Sequence, residues 1–220
     1  MSIKAVIFDL DGTLLDTIDD IADSMNQALE NQGRTPYDVE SYKVFVGRGV
    51  DELVKAVLKE DHTDQSLFDV VRADYREYYR LWQNHKTKPY AGIVTLLQDL
   101  LEKDIRVCVL SNKPEADTVK VIEHYFPNYP FFEVDGQRKG YPVKPDPQSV
   151  LEIIDKLGYQ KSNILYIGDT ATDMQTAINA NLTAVGVLWG FRQKDELLKG
   201  GAEFIISHPS ELMQIIEKRG

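Results

Sequence analysis

Two closely spaced carboxylates, in the segment DLDGTL that begins at Asp9, give the strongest chemical signal in the sequence. They follow the short apolar run Ala5 to Phe8, which predicts a buried strand. Open α/β sheets place their ligands beyond the carboxyl ends of strands, and two buried carboxylates are costly unless an ion or a reaction compensates them. A carboxylate can attack phosphorus, and a second can protonate the leaving oxygen. Asp9 and Asp11 could divide these roles.

A second acidic pair follows another predicted strand. The apolar run Ile164 to Ile167 leads into GDTATD, in which Asp173 stands about one helical turn after Asp169. Acidic clusters of this kind coordinate hard cations such as Mg²⁺ through oxygen. Either aspartate alone is explained equally well as a helix cap. The pair therefore indicates a metal site only in combination with Asp9 and Asp11.

Two further segments contain groups that can hold an anion. Ser111 and Asn112 follow the apolar run Arg106 to Leu110, although Ser111 alone is better explained as a helix N-cap. Lys144 stands in the Pro-flanked loop KPDP, where a solvated lysine is the ordinary interpretation, but lysine is also a usual partner of phosphate. All candidates fall at the same predicted sheet edge, which favours a functional interpretation of the whole set.

The elements that must position these side chains are short strands alternating with helices. Apolar runs rich in Val and Ile predict strands at 5–8, 106–110, 164–167 and 184–188, with 204–206 a weaker candidate. Helical spacing is found from Ile93 to Leu101 and from Val150 to Leu157, where Gly158 predicts a C-terminal stop. This alternation indicates an α/β fold with a doubly wound parallel sheet.

Residues 16–88 interrupt the alternation with helical patterns alone. These cover 18–29, 50–58 and 67–82, and Thr17 with Asp20 predicts a capping pair at the first. A small helical bundle inserted after the first strand is therefore predicted, so that the sheet domain comprises 1–15 and 89–220. The aromatic stripe in this insert is interpreted as bundle core and not as a binding platform. Its members are Tyr75, Tyr78, Tyr79 and Trp82.

Composition limits the possible partners. The net charge of −10 argues against a nucleic-acid partner, because binding a phosphate backbone needs clustered Lys and Arg. The single cysteine, Cys108, is expected to be a buried strand thiol. No apolar run approaches the roughly 18 residues of a membrane span, and no cleavable leader precedes the first strand, so a soluble cytoplasmic protein is expected. The oligomeric state is left open.

Taken together, these motifs resemble those of the haloacid dehalogenase superfamily, and within it the phosphoglycolate phosphatase-like phosphatases with a helical cap. The resemblance covers essentially the whole chain, because the motifs arrive in the family's order. They are DLDGTL at Asp9, Ser111-Asn112, Lys144-Pro145, and Gly168-Asp169 with Asp173. The resemblance implies a Rossmann-like core with the insert 16–88 as a cap that closes over the site.

The same resemblance implies a role for each motif residue. Asp9 would be the nucleophile and Asp11 the general acid and base. The transferring phosphoryl group would be held by Ser111, Asn112 and Lys144. Mg²⁺ would be ligated by Asp9, Asp169 and the backbone carbonyl of Asp11, with Asp173 supporting it directly or through water. In the cap, the loop Gly47-Arg48-Gly49 resembles the one that reaches the substrate, although a simple turn before a helix explains it equally well.

The implied activity is hydrolysis of a small phosphorylated metabolite through an aspartyl phosphate. Dehalogenases and phosphonate-cleaving members of the superfamily lack the aspartate corresponding to Asp11, so its presence favours phosphate esters. A sugar phosphomutase or an inorganic pyrophosphatase would also keep both aspartates, and a non-catalytic binding protein of the same fold is the alternative from a different class. The motifs do not identify the substrate among phosphoglycolate, pyrophosphate, sugar phosphates and nucleoside monophosphates.

Overall fold

The computed structural model describes residues 2–219 as an α/β sheet domain with a helical insert. The strands are β1 (Ala5–Phe8), β2 (Leu15–Asp16), β3 (Lys88–Pro89), β4 (Arg106–Pro114), β5 (Glu133–Gln137), β6 (Ile164–Gly168), β7 (Thr183–Val187) and β8 (Phe204–Ile206). The helices are α1 (Ile18–Asn31), α2 (Val39–Phe45), α3 (Val50–Leu58), α4 (Gln65–Trp82), α5 (Ile93–Glu102), α6 (Glu115–Tyr125), α7 (Gln148–Leu157), α8 (Ala171–Asn179), α9 (Lys194–Gly200) and α10 (Glu211–Lys218). Short 3₁₀ turns lie at Lys59–Thr63 and Lys161–Asn163.

Six strands form a parallel sheet in the order β5-β4-β1-β6-β7-β8. Apolar side chains of α5, α6 and α10 share a core with one face of the sheet, and those of α7, α8 and α9 pack on the other. The doubly wound sheet predicted from the sequence is therefore confirmed. The last residue of β1, Phe8, lies opposite Val109 of β4 and Ile167 of β6, so the carboxyl ends of these three strands meet at one edge.

Two strands of the six-stranded sheet, β4 and β5, differ from the prediction by more than one residue. β4 continues past Leu110 to Pro114, so that Ser111 and Asn112 belong to the strand end and not to a following loop. β5 was not predicted, because its sequence EVDGQ is mostly polar. It lies at the edge of the sheet, where it needs few apolar side chains to be stable.

Helices α1 to α4 pack around a separate hydrophobic core, which Phe191 of the loop after β7 also joins. β2 and β3 pair antiparallel at the points where the chain leaves and rejoins the sheet domain, with Leu15 opposite Pro89 and Asp16 opposite Lys88. This two-stranded crossing coincides with the boundaries expected at residues 15 and 89. We propose that the β2–β3 pair marks the border between the sheet domain and the inserted cap.

The start of α1 differs from the predicted capping pair. Thr17 occupies the N-cap position, but its side chain makes no capping hydrogen bond. The buried Asp20 carboxylate instead accepts hydrogen bonds from the backbone N–H groups of Lys86 and Thr87, each at 2.9 Å, and from the Thr87 hydroxyl at 2.7 Å. Asp20 thus ties α1 to the returning linker, and the prediction of a capping box was wrong.

Replacing Asp20 by alanine is expected to destabilise the protein by about 2 to 4 kcal/mol, because it leaves buried linker donors without an acceptor. Urea unfolding would measure the loss. Asp19→Ala, on the same helix turn but without a recorded side-chain hydrogen bond, is the matched control and should change the free energy of unfolding by about 0.5 kcal/mol or less. Similar losses in both variants would show that the linker contact contributes little.

α4 carries the aromatic stripe. Tyr75 and Tyr79 are buried in the core of the insert, as predicted, whereas Tyr78 and Trp82 are half-buried and pack on each other with ring centroids 5.0 Å apart. The bundle-core interpretation therefore holds for half of the stripe. Neither α4 nor any other helix within residues 2–219 has the length and apolar character needed to cross a membrane.

Cys108 lies in β4 with no exposed surface and forms no disulfide. Burial raises the pKa of its thiol to about 12, so the thiol is protonated at neutral pH. The expectation of a buried strand thiol is confirmed.

Candidate active site

A tight turn after β1 positions the first two carboxylates. The carbonyl of Leu10 accepts hydrogen bonds from three backbone N–H groups that follow it. Gly12 adopts φ +86°, and a Cβ there would lie 2.3 Å from the Asp169 carboxylate, so this position requires glycine. The turn leaves Asp9 buried and Asp11 with 13% of its side chain exposed.

Asp9, Asp169 and Asp173 form a buried acidic triad in which carboxylate oxygens lie within 4.8 Å of one another. Burial and repulsion by Asp173 raise the pKa of Asp9 to about 7, although Lys144 opposes this shift. Burial and the other two carboxylates likewise raise the pKa of Asp169. The cluster contains three buried carboxylates and one lysine, so one ammonium does not balance their negative charge when all three are ionised. An all-oxygen donor set of this kind fits a hard divalent cation.

Lys144 provides the central positive charge. Its Nζ donates hydrogen bonds to Asp9 Oδ1 and Asp173 Oδ1, both at 2.7 Å, and to the Leu110 carbonyl at 3.2 Å. Burial alone would lower the pKa of Lys144, but Asp173 and Asp9 raise it well above its usual range. The side chain therefore remains a buried ammonium, as the predicted phosphate partner requires.

Asp173 and Asp169 are held by different parts of the chain. Asp173 forms a capping box with Thr170 at the start of α8, since its Oδ2 accepts from the Thr170 backbone N–H and hydroxyl. Asp169 accepts hydrogen bonds from the Thr13 hydroxyl at 3.3 Å and the Phe191 N–H at 2.7 Å. The capping interpretation is therefore right for Asp173, which also joins the acidic triad.

Ser111 and Asn112 lie beside this cluster in different roles. Ser111 does not cap α6, whose N-cap is Pro114, and it lines the same cavity as Asp9. Its hydroxyl accepts a hydrogen bond from the Lys113 backbone N–H at 3.1 Å. The Asn112 side chain accepts from the Lys144 N–H at 2.8 Å and donates to the carbonyls of Lys144 and Gly47. It thus fixes the Lys144 loop and the cap loop against β4.

The cap loop meets the site through its glycines. Gly47 and Gly49 line the cavity, both with positive φ, and a Cβ on Gly49 would lie 3.3 Å from the Asn112 carbonyl. Arg48 between them is exposed and lines a separate groove with Arg192 and Thr170. The cavity beside Asp9 is thus lined by the two glycines and not by Arg48, and contact of Arg48 with a substrate stays a prediction.

Several residues of the cavity were missed by sequence reasoning. Lys113 follows Asn112 directly, and its Nζ lies 2.9 Å from Asp11 Oδ1 and donates to the Tyr79 hydroxyl at 2.7 Å. Tyr75, Arg76 and Asp117 also line the cavity. Helical spacing had marked Tyr75 and Tyr79 as core, and only the contact between α4 and the sheet edge shows that they also face the carboxylates. The position of Lys113 next to Ser111-Asn112 was the one available signal.

Arg192, in the loop after β7, binds the segment that leads into the cap loop. Its guanidinium donates to the carbonyls of Val44 and Val46, each at 2.9 Å. Together with the bond from Asn112 to Gly47 and that from Lys113 to Tyr79, this contact joins the core to the insert around the cavity. The insert therefore forms one wall of the cavity beside Asp9.

Comparison with known proteins gives consistent likenesses. The family model described as haloacid dehalogenase-like hydrolase matches residues 6–187. The chain is similar to the phosphoglycolate phosphatase of Aquifex aeolicus, with 29% identity over 214 residues and 97% of each chain covered, and to that of Nitrosospira multiformis, with 28% identity covering 99% and 97%. It also resembles a crystal structure from Lactobacillus delbrueckii subsp. bulgaricus of a candidate phosphoglycolate phosphatase, with 32% identity, a TM-score of 0.91, and 98% and 99% covered.

Proposed function

The chain belongs to the haloacid dehalogenase-like hydrolases, and we propose that it is a Mg²⁺-dependent phosphatase that hydrolyses a small phosphorylated metabolite. The family match confirms the resemblance drawn from the motifs. It runs from within β1 to the end of β7 and includes every proposed site residue. The observation that carries the proposal is the buried Asp9, Asp169 and Asp173 triad around the Lys144 ammonium, with Asp11 beside it. Relatives named phosphoglycolate phosphatase, matched over nearly their whole lengths, support a phosphate ester as substrate.

In the proposed reaction Asp9 attacks phosphorus and the bond from phosphorus to the leaving oxygen breaks. Asp11 donates a proton to that oxygen, so that an alcohol leaves and an aspartyl phosphate forms on Asp9. Asp11 then accepts a proton from water, which attacks the same phosphorus and releases inorganic phosphate with Asp9 regenerated. The partly exposed position of Asp11, next to the buried Asp9, suits a group that exchanges protons with substrate and water.

The residues that would hold the metal are Asp9, Asp169 and the backbone carbonyl of Asp11, with Asp173 in support. When bound, Mg²⁺ would offset negative charge on the phosphoryl oxygens. Both carboxylate oxygens of Asp173 already accept hydrogen bonds, from Lys144 and from Thr170, which favours support through water over direct ligation. Ser111 and Lys144 would bind the phosphoryl oxygens, and Asn112 would hold Lys144 in place.

The test is an assay of the purified protein against phosphoglycolate, pyrophosphate, a sugar phosphate and a nucleoside monophosphate with Mg²⁺. We expect phosphate release that matches alcohol release one for one, loss of activity in EDTA and recovery when Mg²⁺ is restored. Undiminished turnover in EDTA would refute the metal assignment. Conversion of one sugar phosphate isomer into another without phosphate release would indicate a mutase, pyrophosphate as the preferred substrate a pyrophosphatase, and no turnover of any ester a binding protein.

The partner proposed here is a small metabolite, since the charge of −10 disfavours a polyanion such as nucleic acid. A cytoplasmic location stays a prediction from the sequence. We propose that the insert 16–88 acts as the cap, because Tyr79, Gly47 and Gly49 line the cavity that contains Asp9 and Asp11.

A further inference from the structure

We propose that the groove lined by Arg48 and Arg192, between the insert and the sheet domain, binds an anion with two phosphoryl groups, either a free diphosphate or the diphosphate of a nucleotide. The groove is separate from the cavity that contains Asp9. None of the residues proposed above for catalysis, metal binding or phosphoryl binding lines it. The inference therefore does not depend on the proposed reaction.

The groove is positively charged in a chain whose net charge is −10. Four permanent cations and one histidine line it, together with two carboxylates. The cations are Arg48, Lys55, Lys59 and Arg192, the histidine is His62, and the carboxylates are Glu52 and Glu196. Cations gathered in a concave surface attract anions, and lysine and arginine are the usual partners of phosphate. The groove thus favours an anionic ligand although the chain as a whole does not.

The two carboxylates of the groove neutralise only half of its permanent cations. Lys55 and Arg192 pair with them, at 2.6 Å and 3.2 Å respectively. The other two cations, Arg48 and Lys59, form no ion pair within residues 2–219. A ligand with two anionic groups would supply the negative charge that the chain itself does not place there.

Arg192 contributes a buried donor that has no acceptor. Its side chain is 13% exposed, its Nη2 donates to the carbonyls of Val44 and Val46, and its Nε pairs with Glu196. Its Nη1 is buried and has no hydrogen-bond partner among residues 2–219. Buried polar groups are nearly always hydrogen-bonded, so this N–H indicates a missing acceptor. A phosphoryl oxygen beside Arg192 would fill that place, because the guanidinium fork matches phosphate geometry.

The size of the groove favours a ligand larger than a single phosphate. Its volume is about 840 Å³, which is in the range of sites for organic ligands. Its cations lie on both walls, with Lys55 on α3 of the insert and Arg192 on the sheet domain. Phe45 and Val44 add an apolar surface, and 70% of Val44 is exposed. A nucleoside attached to the diphosphate would pack there.

The test measures binding of methylenediphosphonate, a diphosphate analogue that resists hydrolysis, to the metal-free protein by isothermal titration calorimetry. We expect one site per chain, an affinity that falls as NaCl is added, and a higher Tm with ligand present. Lys55→Met should weaken binding by about 5- to 10-fold. Arg192→Lys should weaken it by about 10-fold or more, because an ammonium lacks the fork of donors.

Lys43→Met is the matched control, because Lys43 also pairs at 2.6 Å with a glutamate three residues earlier, as Lys55 does, but lies outside the groove. Ser111→Ala alters the cavity beside Asp9 and should likewise leave the affinity unchanged. Circular dichroism would establish that each variant is folded. Binding that is weakened by Ser111→Ala and not by Lys55→Met would place the ligand in the cavity and overturn the inference. Equal affinities in both lysine variants, or no binding to the wild-type protein, would also overturn it.

Two further ligands define what the groove accepts. Inorganic phosphate should bind at least about 10-fold more weakly than methylenediphosphonate, and equal binding would refute the requirement for two phosphoryl groups. The methylene-bridged analogue of ADP separates the two sources of the diphosphate. Binding about 10-fold tighter than that of methylenediphosphonate would assign the groove to a nucleotide, with the nucleoside packed on Phe45. Similar or weaker binding of the analogue would assign it to a free diphosphate.

Discussion

Asn in place of Asp9 is expected to lower kcat by on the order of 10³-fold or more, several kcal/mol of transition-state stabilisation, in a protein that still folds. A neutral amide is a poor nucleophile toward phosphorus, so the first step of the proposed cycle fails. The amide oxygen can still accept the hydrogen bond that Lys144 donates to Asp9 Oδ1. Steady-state kinetics with phosphoglycolate and Mg²⁺ would measure the effect.

Asp9→Asn should also change how the stability of the protein depends on pH. In the metal-free protein the folded-state pKa of Asp9 is about 7, above the unfolded value near 3.8, because the carboxylate is buried beside Asp173. The folded state therefore binds more protons between these values, and the Asp9 contribution to stability falls as the pH rises through that window. Asp9→Asn should make metal-free stability less sensitive to pH there.

Asp155→Asn, on the exposed face of α7, is the matched control and should change neither kcat nor the pH dependence of stability. Thermal unfolding by circular dichroism between pH 4 and pH 8 would follow the stability of both variants, with chelator present. A folded Asp9→Asn protein with near-normal kcat would show that Asp9 is not the nucleophile. A collapse of its structure would instead assign Asp9 a mainly structural role.

The sheet and the acidic cluster could be predicted because their signals are local. Buried central strands need continuous apolar runs, and a parallel sheet brings the ends of those runs to one edge, so Asp9 and Asp169 were placed together without knowledge of the fold. The edge strand β5 lacks such a run, and Glu133, Asp135 and Gln137 gave no strand signal. The apolar pattern therefore identified the central strands of the sheet but missed the edge strand β5.

Residues whose roles depend on distant contacts could not be assigned in this way. Asp20 matched a local capping pattern, yet its partners, Lys86 and Thr87, lie at the other end of the insert. Lys113 was not singled out in the sequence, because its burial depends on Tyr79 of the insert. Arg48 stood out as the cation between two glycines, but the direction of its side chain is set by how the cap loop meets β4.

Asp11→Asn is expected to lower kcat/KM for phosphoglycolate by about 10²- to 10⁴-fold, the usual range for loss of a general acid. An alkyl alcohol leaves poorly without a proton, whereas p-nitrophenolate leaves well as an anion. Formation of the aspartyl phosphate from p-nitrophenyl phosphate should therefore be much less impaired. The asparagine oxygen can still face Lys113, so the ion-pair partner keeps a polar neighbour in the variant.

The second half of the cycle gives this variant a distinctive time course. Hydrolysis of the aspartyl phosphate needs Asp11 to take a proton from water, and asparagine cannot accept it. With p-nitrophenyl phosphate, Asp11→Asn should release close to one equivalent of p-nitrophenol rapidly and then turn over slowly, while Asp9→Asn should show no such burst. Mass spectrometry of the quenched protein should find one added phosphoryl group in Asp11→Asn alone. Equal losses in kcat/KM on both substrates without a burst would mean that Asp11 positions the site and does not transfer the proton.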